Sequence, residues 1–269
     1  MSRDRIGISS ACWYPDTVEN SLVQVGRAGF RTCEIFVNTF SELSGPLLKK
    51  QIEIRDHYGL QIKSIHPFTS FAESSFLFST YERRFYDSLD FYRQYFAYAA
   101  ALEAKILVIH GMKSPNGLPI EVYAERFAKL IEVGREYGID VCHENVAMHC
   151  GEDPDYLAQM RRIIGSDFHT VLDTKQAKRA GFAPQDFLRK TGDSIRHIHI
   201  SDYDDRKDCI PPFEGRFDTA GFLTDAERTG YTGDYIIELY RWGWTNASQL
   251  TAAGERLRKK LAAVSSNSA

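Results

Sequence analysis

Short apolar runs alternate with longer amphipathic segments along the whole 269-residue chain. RIGISSA, TCEIFV, QIKSIH, KILVIH, IDVCHEN, HTVLD, IRHIHIS and YIIEL are rich in β-branched residues and, where polar residues interrupt them, keep a period of two, which predicts strands. Between them TVENSLVQVGRA, PLLKKQIEIRDHY and the stretches 81–103, 120–137, 154–164, 184–191, 219–229 and from about 247 onward predict helices. Eight strands alternating with eight helices favour a closed (β/α)8 TIM barrel, formed as a single domain over 1–263 with a fraying tail at 264–269. A doubly wound sheet is disfavoured, because no glycine-rich dinucleotide turn follows the first strand. Gly29, Gly59, Gly138, Gly192 and Gly230 fall just after helical segments, where left-handed caps are expected. The connections at 67–80, 111–119 and 202–217 are long and follow strands, which places the functional rim on their side of the barrel.

Polar residues then acquire meaning from where they stand. In the second half, four strands end on metal-competent side chains: Glu144, Asp173, His199 and Glu238. Period-two parity puts Cys142 with Glu144, Val171 with Asp173, His197 with His199 and Ile236 with Glu238 on shared faces, each compatible with pointing into the barrel. Three carboxylates and one imidazole suit Mn²⁺, Mg²⁺, Co²⁺ or Zn²⁺ without thiolates. Any one of these residues alone reads as a hydrogen-bonded rim residue. Four in series point to a cation, since several buried carboxylates without one would cost stability. Glu34, His66 and His110 end three strands of the first half and extend the polar rim.

Composition narrows the partners. A formal charge of -3 supplies no concentrated positive field, so nucleic acid is not the expected ligand. The five cysteines are scattered without a CxxC pair, which fits reduced thiols and a cytoplasmic setting. No run reaches the roughly 18 apolar residues of a spanning helix, so no membrane partner is expected. The segment FYDSLDFYRQYFAYAA carries more aromatics than one buried stripe needs, which fits either a homo-oligomer contact or core packing. Near the rim, Trp13 either stacks on an apolar sugar face or anchors a packed loop, and Lys175 either pairs with an anionic substrate group or is solvated. Asp202 follows the seventh strand and reads equally as a partner orienting His199 or as a turn residue. His57, His143, His149 and His169 are expected to face helices and are not counted as ligands.

The runs IHPF, VIHG, CHEN, VLD, HIHISD, FEG and IIELY, in this order, resemble those of the xylose-isomerase-like TIM barrels. That superfamily includes sugar phosphate isomerases and epimerases, inosose dehydratases and the endonuclease IV-type enzymes of AP endonuclease family 2. The resemblance spans GISS to ELY and implies one divalent ion held by Glu144, Asp173, His199 and Glu238. It also implies His66 and His110 beside that ion, touching substrate or joining Glu144 around a second ion. By the chemistry of the isomerases, Glu144 and Glu238 would exchange a proton with an enediolate of a sugar or polyol, phosphorylated or not. The alternatives are an inosose-dehydratase-like lyase, an endonuclease IV-like zinc phosphodiesterase, and a metal-binding barrel without turnover. The chain departs from the family at Gln176, where many members have His; Gln hydrogen-bonds a hydroxyl but ligates metal poorly. Cys150 and Asp205 stand where ketose epimerases place Glu and Arg, with Arg206 one position on as a substitute. The loop RKDCIPPF lacks the Asp-x-His pair of a third zinc site.

Overall fold

β-Branched runs become strands because their side chains pack on both faces of a sheet wrapped by helices. The computed structural model describes residues 4–114 and 118–267. Its strands are β1 (Ile6–Ser9), β2 (Thr32–Phe36), β3 (Gln61–His66), β4 (Ile106–Ile109), β5 (Asp140–Glu144), β6 (His169–Asp173), β7 (Ile195–Ile200) and β8 (Asp234–Ile237). Each pairs in parallel with the next, and β8 closes on β1 with Ile6 opposite Tyr235 and Ile8 opposite Ile237. The helices are α1 (Val18–Arg27), α2 (Gly45–Tyr58), α3 (Glu82–Ala101), α4 (Ile120–Glu136), α5 (Pro154–Ile164), α6 (Thr174–Arg179), α7 (Pro184–Thr191), α8 (Thr219–Arg228) and α9 (Ala247–Asn267). The chain is therefore a single-domain (β/α)8 TIM barrel.

Helix boundaries follow local capping chemistry. The side chains of Thr17, Asp153 and Asp218 accept from backbone N–H groups of the first turns of α1, α5 and α8, satisfying donors that the helices cannot use themselves. Gly29, Gly59, Gly138 and Gly230 take the expected positive φ. Gly192 does not: at φ -55° it stays right-handed and opens a 3₁₀ turn, Gly192–Ser194, that leads into β7. The last helix runs through Asn267, into the segment expected to fray, while 268–269 lie outside the described residues.

Strand parity sorts the core into two parts. Ile35, Ile65, Leu107, Ile109, Val141, Leu172, Ile198 and Ile237 join the large cluster shared with the helices, whereas Ile106, Val108, Cys142 and Val171 form a separate apolar cluster. Such fully buried side chains each contribute about 1.5–3 kcal/mol. The aromatics of α3 are absorbed by packing: Phe85, Tyr92, Tyr95, Phe96 and Tyr98 are buried, and Tyr86 remains exposed. All five cysteines are free thiols, and no helix among the described residues is long and apolar enough to cross a membrane.

The rim loops are tied down by buried acids. Glu73, in the 3₁₀ segment Phe68–Ser75 after β3, accepts from Gly111 N at 2.6 Å, joining two loops across the mouth. Its burial pushes the carboxyl well above its ordinary value. Asp202 accepts from the backbone N of Tyr203 at 2.7 Å, Gly215 at 3.0 Å and Phe217 at 2.9 Å, and so organises the loop after β7. This is the turn-forming alternative, not the orientation of His199. Within the long connection 111–119, residues 115–117 lie outside the described residues.

Candidate metal centre

Parallel pairing sets the heights at which polar side chains leave the strands. Asp173 stands opposite His199 across β6 and β7, and Ile237 stands opposite Ile200, so Glu238 follows directly at the same rim. The result is convergence. His199 Nδ1 lies 3.0 Å from Glu144 Oε1, 3.6 Å from Glu238 Oε2 and 4.0 Å from Asp173 Oδ2. One donor atom from each of the four residues lies within 4.8 Å of the others. Asn145 fixes the tips of β5 and β6 together: its Oδ1 accepts from Asp173 N at 2.6 Å and its Nδ2 donates to Asp173 O at 3.1 Å.

His66 and His110 join from the first half. Their Nε2 atoms are 2.9 Å apart and lie 3.6 and 3.2 Å from Glu144 Oε2, making a second group with metal-ligating chemistry. Burial opposes ionisation of Glu144, but the hydrogen bonds from His110, His199 and His66 outweigh it and hold the carboxyl well below its ordinary value. For Asp173 burial wins, and despite the nearby Lys175 ammonium its carboxyl is pushed up to about 6. Glu144 Oε2, with His110 and His66 Nε2 at 3.2 and 3.6 Å, and Asp173 Oδ2, with Lys175 Nζ at 3.0 Å, are buried beside these groups without a well-aligned hydrogen bond. Carboxylate oxygens of that kind, beside an imidazole nitrogen, fit a divalent cation.

Beneath the quartet lies Glu34. Its Oε2 accepts from Ser64 Oγ at 2.7 Å and faces His199 Nε2 at 2.9 Å and His197 Nε2 at 3.2 Å, all fully buried. An ionised carboxylate can only accept, so Glu34 holds a proton on His199 Nε2; Nδ1 donates likewise to Glu144 Oε1 in the metal-free site, and that Nδ1 proton is the one a metal ion would displace. A β-bulge between Cys33 and Glu34 in the pairing of β2 with β3 sets this position. Sequence reasoning placed Glu34 at the rim; the contact with His199 spans 165 positions of chain and left no local signal.

Lys175 is the larger surprise. Its side chain is only 2% exposed, and its Nζ lies 3.0 Å from both Asp173 Oδ2 and Glu238 Oε2. The solvated alternative is thereby excluded. Asp173 also caps α6, accepting from Gln176 N at 2.9 Å through Oδ1, and Gln176 Oε1 accepts from Ala147 N at 3.3 Å.

A cavity of about 460 Å³ opens onto these groups, lined by His66, His110, Glu144, Lys175, Gln176 and Glu238 together with Tyr14, Phe36, Asn38, Phe68, Leu239 and Tyr240. Trp13 is not on its wall: it is 6% exposed and packs edge-on against Trp244, as a loop anchor. The neighbouring Tyr14, 56% exposed, lines the cavity instead. Arg206 is exposed on the loop after β7 and is not among the lining residues; its N–H donates to Asp204 Oδ1, which turns it into that loop. His143 packs under α4 against Phe127 and Tyr123, as parity required. His149 departs from expectation: its ring meets His110 at 5.8 Å in the loop after β5.

Against known proteins, the model of the family described as xylose isomerase-like TIM barrel matches residues 22–260. An uncharacterised protein of Methanocaldococcus jannaschii is 26% identical over 250 residues, covering 87% of this chain and 83% of its own. Among solved structures, a D-tagatose 3-epimerase-like protein has a TM-score of 0.81 at 22% identity, covering 98% of this chain and 100% of its own. An L-ribulose 3-epimerase has a TM-score of 0.80 at 16% identity, covering 99% and 97%. The D-allulose 3-epimerase of a Methylomonas species, described in complex with D-allulose, has a TM-score of 0.77 at 15% identity, covering 97% and 98%. At these identities the structural likeness speaks for the fold.

Proposed function

The chain belongs to the xylose isomerase-like TIM-barrel family, and from that premise we propose that it is a divalent-metal-dependent isomerase or epimerase of sugars or polyols. One observation carries the reading: Glu144, Asp173, His199 and Glu238 bring four donor atoms within 4.8 Å of one another beside a cavity of about 460 Å³. The printed descriptions of the sugar epimerases that share the fold support the substrate class.

When bound by the quartet, a Mn²⁺, Mg²⁺, Co²⁺ or Zn²⁺ ion would polarise adjacent carbonyl and hydroxyl oxygens and acidify the neighbouring C–H. Glu144, kept ionised by its imidazole neighbours, takes that proton as general base. Glu238 is the partner acid; because Lys175 and His199 hold it below its ordinary value against the effect of burial, it takes up a proton from solvent or a substrate hydroxyl before returning one to the enediolate. His66 and His110 hydrogen-bond substrate oxygens. Phe36, Phe68, Tyr14 and Tyr240 present aromatic surface to the C–H faces of a sugar and limit water at the reacting carbon. Gln176 offers amide hydrogen bonds to a hydroxyl where many relatives have His, so the substrate need not be a ketose epimerised at C3.

The test is proton exchange. Purified protein loaded with each metal in turn is incubated in D₂O with ketoses, aldoses, inositols and their phosphates. Deuterium should enter beside the carbonyl of at least one compound, and Glu144→Gln should abolish that exchange while the circular dichroism spectrum is retained. Loss of water from an inosose would select the lyase. The group His66, His110 and Glu144 gives the two-ion phosphodiesterase its one supporting observation; abasic-site cleavage without any exchange would establish that reading.

A further inference from the structure

Proton transfer involves Lys175 only through Glu238, whose ionised form it favours, yet the fold buries it. Burial alone drives an ammonium toward neutrality, so its position must be explained by what surrounds it. Its Nζ is 3.0 Å from Asp173 Oδ2 and 3.0 Å from Glu238 Oε2. Those are also the oxygens that face His199 Nδ1, at 4.0 and 3.6 Å. The other Asp173 oxygen is already occupied as the cap of α6, so Oδ2 is the oxygen that the lysine and a metal ion would share. The Tyr240 ring lies 4.9 Å from the ammonium and adds a cation–π contact. The buried carboxylate of Asp173 and the nearly buried Glu238 face it, and both belong to the same quartet as Glu144. The lysine and a metal ion would therefore draw on the same two oxygens and the same negative field.

We propose that Lys175 is the resident counter-cation of this acidic cluster: its ammonium holds Asp173 and Glu238 together before a divalent ion binds, and it competes with the ion for their oxygens. The proposal rests on the quartet being a metal site. Its consequence is a site that stays assembled without metal and binds metal less tightly than its four donors would alone. Lys175 is a positioning residue here, acting through the ligands and not on substrate.

The sign of one measurement separates this role from an ordinary structural one. Mn²⁺ alone is titrated calorimetrically into chelator-treated wild type and Lys175→Met, a variant of similar volume without charge. Removing a unit charge a few ångströms from a divalent ion should tighten binding about tenfold or more, even with water-like screening. The metal-free variant should also melt lower than metal-free wild type, with the deficit removed by saturating Mn²⁺. If Lys175 merely braces the ligands, the variant binds Mn²⁺ equally or more weakly with a native circular dichroism spectrum, and the proposal is overturned. Lys175→Gln, which keeps polarity without charge, is read in the same way if Lys175→Met does not fold. If neither binds Mn²⁺, Mg²⁺, Co²⁺ or Zn²⁺, the metal reading itself fails and this inference with it.

Discussion

Replacing Glu34 by Gln tests whether the buried layer beneath the quartet governs it. The substitution keeps size and removes one negative charge whose Oε2 lies 2.7 Å from Ser64 Oγ, 2.9 Å from His199 Nε2 and 3.2 Å from His197 Nε2. Hydrogen bonds to an ionised partner contribute about 1.5–3 kcal/mol against about 0.5–1.5 for neutral ones, so each imidazole contact weakens by about 1 kcal/mol. Loss of an acceptor behind a ligating histidine ordinarily costs about 10–100-fold in metal affinity, equivalent to about 1.4–2.8 kcal/mol; the weakened His199 contact accounts for about 1 kcal/mol of that, and the lost negative charge beneath the ion for the rest. Calorimetric titration of Mn²⁺ into wild type and Glu34→Gln should therefore show 10–100-fold weaker binding with an unchanged far-ultraviolet spectrum. Equal affinity in the two proteins would refute the claim that Glu34 fixes the proton on His199 Nε2 and presents Nδ1.

Two further expectations concern the scaffold around the site. Burial holds the His143 imidazole down to about 4, so the unfolded chain takes up a proton first as pH falls. The stability it contributes is complete above about pH 6.5 and is lost as pH falls toward 4, by about 2 kcal/mol at pH 5. Denaturant titrations at pH 7.5 and 5 should show a smaller loss for His143→Gln than for wild type, and equal losses would refute the assignment. Gly111, at φ +85°, has Tyr123 Oη and His143 Nε2 where a Cβ would stand. Gly111→Ala should destabilise the protein by more than about 1 kcal/mol, read as a lower denaturation midpoint, because backbone strain and a clash coincide; an unchanged midpoint would contradict that geometry.

Periodicity made the barrel legible, because a buried parallel strand and an amphipathic helix differ in repeat whatever lies elsewhere in the chain. The same parity brought Glu144, Asp173, His199 and Glu238 to one rim, since a closed parallel barrel converts position at a strand end into a place on the mouth. Contacts between distant segments were less visible. The six residues of α6, TKQAKR, are too few to show a helical repeat, and the helix is started by Asp173, whose side chain serves as its cap. That helix carries Lys175 inward, where sequence alone left a solvated lysine open. Trp13 and Tyr14 are adjacent, and only the packing of Trp244 against Trp13 decides which aromatic ring faces the cavity. Asp202 and Arg206 had plausible roles by spacing, but the loop after β7 takes Asp202 for its own backbone N–H groups and leaves Arg206 exposed.

The central claim is that the quartet holds a divalent ion, and metal retention tests it most directly. Wild type, Asp173→Asn and His199→Asn are each dialysed to equilibrium against Mn²⁺, Co²⁺, Mg²⁺ or Zn²⁺, and bound metal is measured by elemental analysis. Stoichiometric retention by wild type and its loss in both variants is the predicted result. Absence of bound metal in wild type, or equal retention in all three proteins, would contradict the account.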